Sequence, residues 1–202
     1  KQATPLPVRA GNGAAIRLWR LKSVRGKTRV AYKAGGRWRA FRTLVGDGVF
    51  RSATHRLTLR VSGGDRVYRG GMLLSGSETV NLVAMNAYLR SVVPAEMPAS
   101  WSAEAVRAQS VAARTYAMWS RAQRPSARWH ICDTTACQVY AGVSAEHAAS
   151  TAAVFATNGQ ILAYQGAPAF TQFSASSGGW TAQGSRPYLA AQADPYDATP
   201  AN

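Results

Sequence analysis

One carboxylate stands out by its surroundings in the sequence. Glu96 lies in the stretch VVPAEMPASW, where Pro94 and Pro98 restrict the backbone on both sides. Acidic residues are scarce, because the 202-residue chain holds nine Asp and Glu against 24 Lys and Arg, a formal net charge of +15. A carboxyl group held in a stiff segment suits general acid and base chemistry. We therefore take Glu96 as the first candidate for a catalytic residue.

A second carboxylate that could work with Glu96 is harder to find. Glycoside hydrolysis generally uses two carboxylates. The remaining choices are a helix-start residue, a residue between two cysteines and two residues near the C-terminus, namely Glu104, Asp133, Asp194 and Asp197. The chain has no P-loop, no GxSxG elbow and no HExxH motif, and its three histidines adjoin no obvious nucleophile. A mechanism that needs a single acid suits this inventory best.

The two cysteines, Cys132 and Cys137, lie in the segment WHICDTTACQVY. With His130 and Asp133 close by, this spacing permits a local disulfide or part of a metal site. A zinc site needs three or four protein ligands, and these four residues are the only local candidates. A disulfide is therefore favoured, which implies an oxidising, extracytoplasmic setting. Zinc and two free thiols stay open as alternatives.

Positive charge is concentrated in the first third of the chain. Residues 1–70 hold 17 Lys or Arg and two acids, whereas residues 71–202 hold seven of each sign. The basic segment alternates apolar and polar residues in AIRLWRL, TRVAYKA, RWRAFRTL and RLTLRVS, with glycine-rich turns between them. This pattern predicts a half-buried antiparallel sheet with an arginine-rich outer face. Such a surface attracts polyanions, either nucleic acid, an anionic membrane or a bacterial cell wall, or it serves only for solubility.

Three helices are predicted in the rest of the chain. A short one, AMNAYLRSV, is expected to stop at Pro94. A longer one covers residues 102–123, with its first serine as the N-cap. The third covers residues 144–158, with Ser144 as the N-cap and Gly159 at the C′ position. Beyond it, QILAY and AFTQFSAS are expected to form two strands, followed by the turn SSGGWT.

Three segments together resemble the SpoIID/LytB family of bacterial cell-wall proteins. They are LVAMNAYLRSVVPAEMPASWSAEAVRAQSVAARTYA, CDTTACQVYAGV and FSASSGGWTA, in the family's order and with similar spacing. The resemblance covers residues 67–187. It implies an α+β fold in which helices carrying the catalytic motif pack with antiparallel strands. We expect a basic β-rich region over residues 1–66, for wall binding or as a scaffold, and the catalytic domain over residues 67–202.

The resemblance implies the activity of a peptidoglycan lytic transglycosylase. Such an enzyme cuts the β-1,4 bond between N-acetylmuramic acid and N-acetylglucosamine without adding water, and it leaves a 1,6-anhydromuramoyl end. The family's catalytic acid corresponds to Glu96. One carboxyl group suffices, because the nucleophile belongs to the substrate. The alternative is a non-catalytic wall-binding module that stimulates or positions an amidase.

Other positions that match the family's motifs are expected to bind the glycan or to support the site. They are Gln109 and Arg114 of the helix motif, Gln138 and Tyr140 of the QVY motif, and Ser176, Ser177, Gly178, Gly179 and Thr181 of the SSGG motif. Zinc-binding members of the family have a His-Cys pair before QVY and a His and Cys near the Gly-Gly turn. Here Ala136 precedes Cys137, and the later stretch is rich in serine. These departures from the pattern of the zinc-binding members disfavour zinc. We therefore expect no cofactor and a disulfide between Cys132 and Cys137.

The expected partners follow from the same reasoning. They are peptidoglycan strands, with or without their stem peptides, anionic wall polymers and an amidase, whereas nucleic acid is disfavoured because no recognition motif accompanies the charge. No apolar run approaches the roughly 20 residues that span a bilayer. The first residue is Lys1 and no signal peptide is evident, so we expect a trimmed or cloned form of a secreted or wall-associated protein.

Overall fold

The computed structural model describes residues 4–197 and has the predicted α+β architecture. The chain divides into two compact units between Val83 and Ala84. The sequence placed the boundary between residues 66 and 67, but that position falls inside a strand, β5 (Gly64–Ser75). The N-terminal unit is all β, and the C-terminal unit contains the three helices. No helix among residues 4–197 is long and apolar enough to cross a membrane.

The first sheet of the N-terminal unit is a meander of three antiparallel strands. They are β1 (Leu18–Val24), β2 (Lys27–Ala34) and β3 (Arg37–Val45), in that order. Two-residue turns join them, and both residues of each turn have positive φ, as type I′ hairpins require. Glycine suits three of these four positions, and Arg25, with φ 49°, is the exception.

The second sheet is also a three-stranded antiparallel meander. It contains β4 (Gly48–Val61), β5 and β6 (Glu78–Leu82), in that order. Gly70, with φ 80°, allows close approach of β6, because a Cβ at this position would lie 2.1 Å from the carbonyl oxygen of Leu82. The predicted strands of the basic segment are confirmed, although the first begins later, at Leu18, and the strands form two sheets rather than one.

Helix α1 (Met85–Glu96) is longer than the sequence predicted. It continues through Pro94, where it was expected to stop. Proline removes one backbone donor, but here this loss falls in the last turn, and the N–H of Met97 still bonds to the carbonyl of Val93 at 3.0 Å. Burial of one face of the helix, including Leu89 at 0% exposure, holds this turn in place. Glu96 is consequently the last helical residue rather than part of a loop.

Helix α2 (Ala103–Gln123) agrees with its prediction. The Ser102 side chain accepts a hydrogen bond from the N–H of Ala105, and Ser102 is therefore the N-cap. The side of the helix that carries small residues is buried, with Ser110 and Ala113 fully inaccessible. Small side chains let the neighbouring backbone approach closely, and α2 consequently lies at the centre of the C-terminal unit, next to α1 and α3 (Ala148–Ala156).

Helix α3 begins later than predicted. Its N-cap is His147, whose Nδ1 accepts the N–H of Ala149, and Ser144 lies instead in a 3-10 turn (Gly142–Ala145). Glu146 is drawn out of the helix because its carboxylate forms an ion pair of 2.8 Å with Arg90. The helix ends at a Thr157 C-cap, so that Gly159 lies at the C″ position rather than at C′, where it was predicted.

The remaining strands contain two residues each. β7 (Ala163–Tyr164) pairs with β8 (Ala167–Pro168), and β9 (Trp180–Thr181) pairs with β10 (Gln192–Ala193). The prediction of a longer strand over AFTQFSAS is wrong, since residues 169–176 are irregular. Side-chain contacts with α2 replace ladder bonds there: the Thr171 hydroxyl donates to the carbonyl of Ala112 at 2.8 Å.

Candidate functional site

The Glu96 carboxylate is held by the backbone of a distant segment. Its Oε1 accepts a hydrogen bond of 2.9 Å from the N–H of Val139, which lies 43 residues further along the chain. The side chain is half-buried at the C-terminal end of α1. This single contact joins the two segments, PAEMP and QVY, that the sequence proposed as parts of one site.

Two further hydrogen bonds fasten the same segment to α1. The Tyr88 hydroxyl donates to Oε1 of Gln138 at 3.1 Å, and the N–H of Ala141 donates to the Ser91 hydroxyl at 3.2 Å. Residues 138–141 are therefore bonded to α1 at three points, Tyr88, Ser91 and Glu96. Sequence reasoning missed Tyr88 and Ser91, although both are polar residues on the otherwise apolar buried face of α1.

The wall behind Glu96 is buried and polar. Gln138 is 0% exposed, and its Nε2 donates to the carbonyl of Ala113 in α2 at 3.2 Å. The Tyr140 ring lies 5.0 Å from the Tyr88 ring, centroid to centroid. Burial, together with the nearby charge of Glu96, raises the pKa of Tyr88 well above its usual value. Tyr88 therefore stays a neutral hydroxyl donor, and Gln138 is fixed by two partners in one orientation.

The Arg114 side chain forms hydrogen bonds with α3 and with the segment that follows it. Its guanidinium donates to the carbonyls of Val154 at 3.0 Å and Gln160 at 3.1 Å, and more weakly to the Thr157 hydroxyl at 3.4 Å. The residue is 2% exposed, and burial lowers its pKa. These contacts satisfy one carbonyl in the last turn of α3 and one beyond its end, where a cation is favourable. The glycan-binding role expected from the resemblance remains a prediction.

Gln109, like Arg114 at its Nε, has a buried side-chain nitrogen without a hydrogen-bond partner among residues 4–197. Gln109 is 6% exposed, and the nitrogen concerned is its Nε2. A buried donor without a partner carries a cost in free energy. The binding role expected for Gln109 is thus compatible with its surroundings, and it too remains a prediction.

The SSGG turn is tied to two aspartates near the C-terminus. The Asp197 carboxylate accepts hydrogen bonds from the Ser176 hydroxyl at 2.8 Å, the Ser177 N–H and the Gly178 N–H at 3.0 Å. The hydroxyl of Ser176 contributes most to the lowering of the Asp197 pKa, to about 2, and the Ser177 backbone comes next. Asp194 accepts the Ser177 hydroxyl at 3.0 Å. These two aspartates therefore order the turn.

The turn borders an open cavity of about 540 Å³. Thr181 contributes to its lining while its hydroxyl bonds to the backbone of β10. Trp180, 61% exposed, and Tyr188 supply aromatic surface there. The lining includes Ser176 and Ser177, whereas the two glycines of the turn, Gly178 and Gly179, both with positive φ, shape the backbone. The predicted site residues thus do not form one cluster. Gln138 lies next to the Val139 N–H that binds Glu96. Ser176, Ser177 and Thr181 border this cavity, and Arg114 contacts α3.

Cys132 and Cys137 are joined by a disulfide, with their Cα atoms 5.5 Å apart. The bridge immediately precedes Gln138, so it closes the loop that leads into the segment beside Glu96. Within residues 4–197, no three His, Cys, Asp or Glu side chains are grouped so that they could hold a metal ion.

Known proteins are similar to the part of the chain that contains Glu96. Residues 74–164 match the model of the SpoIID family, described as Stage II sporulation protein. The chain is 42% identical over 115 residues to the amidase enhancer of Bacillus subtilis (strain 168). It is 30% identical to stage II sporulation protein D of Bacillus amyloliquefaciens over 144 residues, and 30% identical to that of Bacillus subtilis over 145 residues.

These matches define a SpoIID-type domain that contains Glu96, Val139 and α1. The resemblance to the SpoIID/LytB family that the motifs predict is thus confirmed over residues 74–164. The aligned part is 54% of this chain and 15% of the amidase enhancer, and 61% of this chain and 42% of each stage II sporulation protein D. The chain thus spans less than half the length of these relatives.

Proposed function

We propose that this protein acts on the bacterial cell wall as a peptidoglycan lytic transglycosylase, with Glu96 as the catalytic residue. The observation that carries the proposal is the hydrogen bond from the Val139 N–H to Oε1 of Glu96. It orients one carboxyl group at a half-buried helix end and leaves the second oxygen for proton transfer. The similarity of residues 74–164 to the SpoIID family, and of the chain to stage II sporulation protein D, supports a role in the wall.

The positions of the other carboxylates favour a mechanism with one acid. Every other acid of the C-terminal unit except Asp133, which lies exposed in the cysteine loop, is engaged elsewhere: Glu104 with Arg107, Glu146 with Arg90, and Asp194 and Asp197 with the SSGG turn. Four of the five other carboxylates of the C-terminal unit are therefore occupied, so that a second catalytic carboxylate, of the kind that hydrolytic glycosidases use, would have to be Asp133.

The proposed reaction uses Glu96 twice. In the first step the carboxylic acid donates its proton to the glycosidic oxygen as the bond from that oxygen to muramoyl C1 breaks. In the second step the resulting carboxylate takes the proton of the muramoyl C6 hydroxyl while O6 bonds to C1. No water is consumed, and Glu96 ends protonated, ready for another turnover.

Digestion of purified glycan strands tests this proposal. Strands with and without stem peptides are incubated with the protein, and mass spectrometry looks for 1,6-anhydromuramoyl ends, which are one water lighter than hydrolysed ends. Glu96→Gln is expected to abolish these ends, because an amide cannot donate the proton. Glu104→Gln is the matched control, since Glu104 is exposed and pairs only with Arg107. Unchanged product from Glu96→Gln refutes the mechanism.

A second candidate function is favoured by one specific observation. The relative that is 42% identical is an amidase enhancer. In this case the protein would bind the wall and raise the turnover of an amidase without cutting glycans. The deciding result is faster release of stem peptides by an added amidase, at equal strength with wild-type protein and Glu96→Gln, and no anhydromuramoyl ends from either.

A further inference from the structure

The sheet β1–β2–β3 carries its charge unevenly on its two faces. Its strands contain eight Lys or Arg and no Asp or Glu. Residues directly opposite each other on neighbouring strands share a face, and alternate residues along a strand do so too. By the observed register, five of the cations and one tryptophan share one face, here called the basic face: Arg20, Lys22, Lys27, Arg29, Lys33 and Trp38.

The opposite face is the one that packs inside the N-terminal unit. The Trp19 ring contacts those of Tyr32, Phe41 and Phe50 at centroid distances of 5.6, 5.1 and 6.4 Å. Val30, on the same face, is 4% exposed. The basic face therefore points away from this core, and four of its five cations are exposed, the exception being Lys33.

The positions of the cations on the basic face lower the stability of the sheet. Lys22 lies directly opposite Arg29, and like charges placed this way repel each other across the strands. Such a pair is unfavourable for the isolated sheet, and an anionic ligand that lies between the two charges removes the repulsion. Cations recur along a strand at alternate positions, about 7 Å apart. A polymer with one negative charge in each repeating unit engages such an array, whereas a small anion meets only one or two of its members.

The number of aromatic residues on the basic face indicates which kind of polymer it can bind. Proteins that bind single-stranded nucleic acid stack bases on several exposed rings. Among strands β1 to β3, Trp38 is the one aromatic residue on the basic face, and the guanidinium of Arg20 lies 4.2 Å from the centre of its ring. The face therefore offers charge without a stacking platform.

We propose that the basic face binds a linear phosphodiester polymer without bases, of the polyol phosphate class. The proposal rests on the proposed function, because it assigns the polymer to the same cell wall. In this proposal the basic face holds the protein to the wall, and the C-terminal unit acts on the glycan.

Binding of the full chain to end-labelled poly(glycerol phosphate), followed by fluorescence anisotropy, tests the proposal. The double variant Lys22→Gln/Arg29→Gln removes two charges from the basic face. Arg37→Gln/Arg39→Gln is the matched control: it removes two exposed charges of the same sheet from the other face, where these residues lie opposite Ala34 and Tyr32. Both variants have the same net charge, so that a difference between them reports position alone.

The expected loss for the basic-face variant is about fivefold for each cation, or about 25-fold in Kd, and less than threefold for the control. If five cations each meet one phosphate, the slope of log Kd against log salt is about 3.5, and it falls to about 2 in the basic-face variant only.

Three results overturn the proposal. They are an equal loss in the two double variants, no binding of the wild-type chain at physiological salt, and tighter binding of an oligodeoxynucleotide or an anionic vesicle with the same amount of phosphate. The assay contains no glycan. Failure of the transglycosylase mechanism therefore leaves this result standing, and failure of polymer binding does not bear on Glu96.

Discussion

Replacing Arg114 by methionine distinguishes a structural role from a binding role for this residue. The guanidinium makes two hydrogen bonds to backbone carbonyls, one of 3.0 Å to Val154 in the last turn of α3 and one of 3.1 Å to Gln160 beyond the end of the helix. Each hydrogen bond to a charged group contributes roughly 1.5–3 kcal/mol. Part of this is offset, since methionine has no charge to desolvate and fills similar space. We expect Arg114→Met to lower the free energy of unfolding by about 3 kcal/mol.

For a chain of this size, a loss of about 3 kcal/mol corresponds to a decrease in Tm of roughly 6–12 °C. Calorimetry measures this decrease, and hydrogen exchange is expected to show it as faster exchange of the α3 amides. Arg107→Met is the control on the same helix: Arg107 is 45% exposed in its ion pair with Glu104, and its loss is expected to cost less than about 1 kcal/mol.

Kinetics on glycan strands, well below the Tm of the variant, complete the test. If Arg114 acts only through α3, KM stays at the wild-type value. A Tm within about 1 °C of wild type together with a tenfold higher KM would refute the structural reasoning and favour direct glycan contact.

Three further predictions concern pH, redox state and charge. Because the Asp197 pKa is lowered from 3.8 to about 2, the hydrogen bonds of its carboxylate stabilise the SSGG turn above pH 4, and this stabilisation is lost as the pH falls towards 2. Tryptophan fluorescence is expected to show a transition in that pH range. Asp197→Asn is expected to abolish the transition. Reducing the Cys132–Cys137 disulfide, which closes a loop with a sequence separation of 5, is expected to cost about 2 kcal/mol in urea unfolding. Lys22→Gln/Arg29→Gln is expected to raise stability by a few tenths of a kcal/mol, since it removes a repulsive cross-strand pair, and urea unfolding measures this gain.

Each of these has a result that contradicts it. For the turn, it is the same acid transition in Asp197→Asn. For the disulfide, it is an equal response to reductant in Cys132→Ser/Cys137→Ser. For the cross-strand pair, it is a stability below that of the wild type, which would mean that the two cations have anionic partners within the chain.

Local signals in the sequence predicted the elements that depend on local physics. Helix α2 was correct from its serine N-cap to its end because capping and helix periodicity act within a few residues. The start of α3 was wrong because Glu146 is drawn to Arg90 by a tertiary ion pair. The end of α1 was wrong because burial of its apolar face outweighs the proline in its last turn. These two errors share a cause: a contact made outside the segment overrides its local preference.

The candidate site shows the same division. The prolines and the scarcity of acids made Glu96 a candidate, since these are local and compositional features, and its catalytic role, which the resemblance implies, stays a prediction. The partner of Glu96 could not be predicted, because it is a main-chain N–H, which every residue except proline possesses. The hydrogen bonds of Arg114 could not be predicted either, because its partners are backbone carbonyls, which every residue possesses.

The contact between Val139 and Glu96 has a consequence for mutagenesis. An alanine scan removes side chains and leaves the amide in place, so Val139→Ala would retain the hydrogen bond and the position would be scored as neutral. Replacing the amide between Gln138 and Val139 by an ester removes only the N–H. That single-atom change, made by semisynthesis, would test whether this N–H contributes to the proposed activity, which a genetic screen of side chains cannot do.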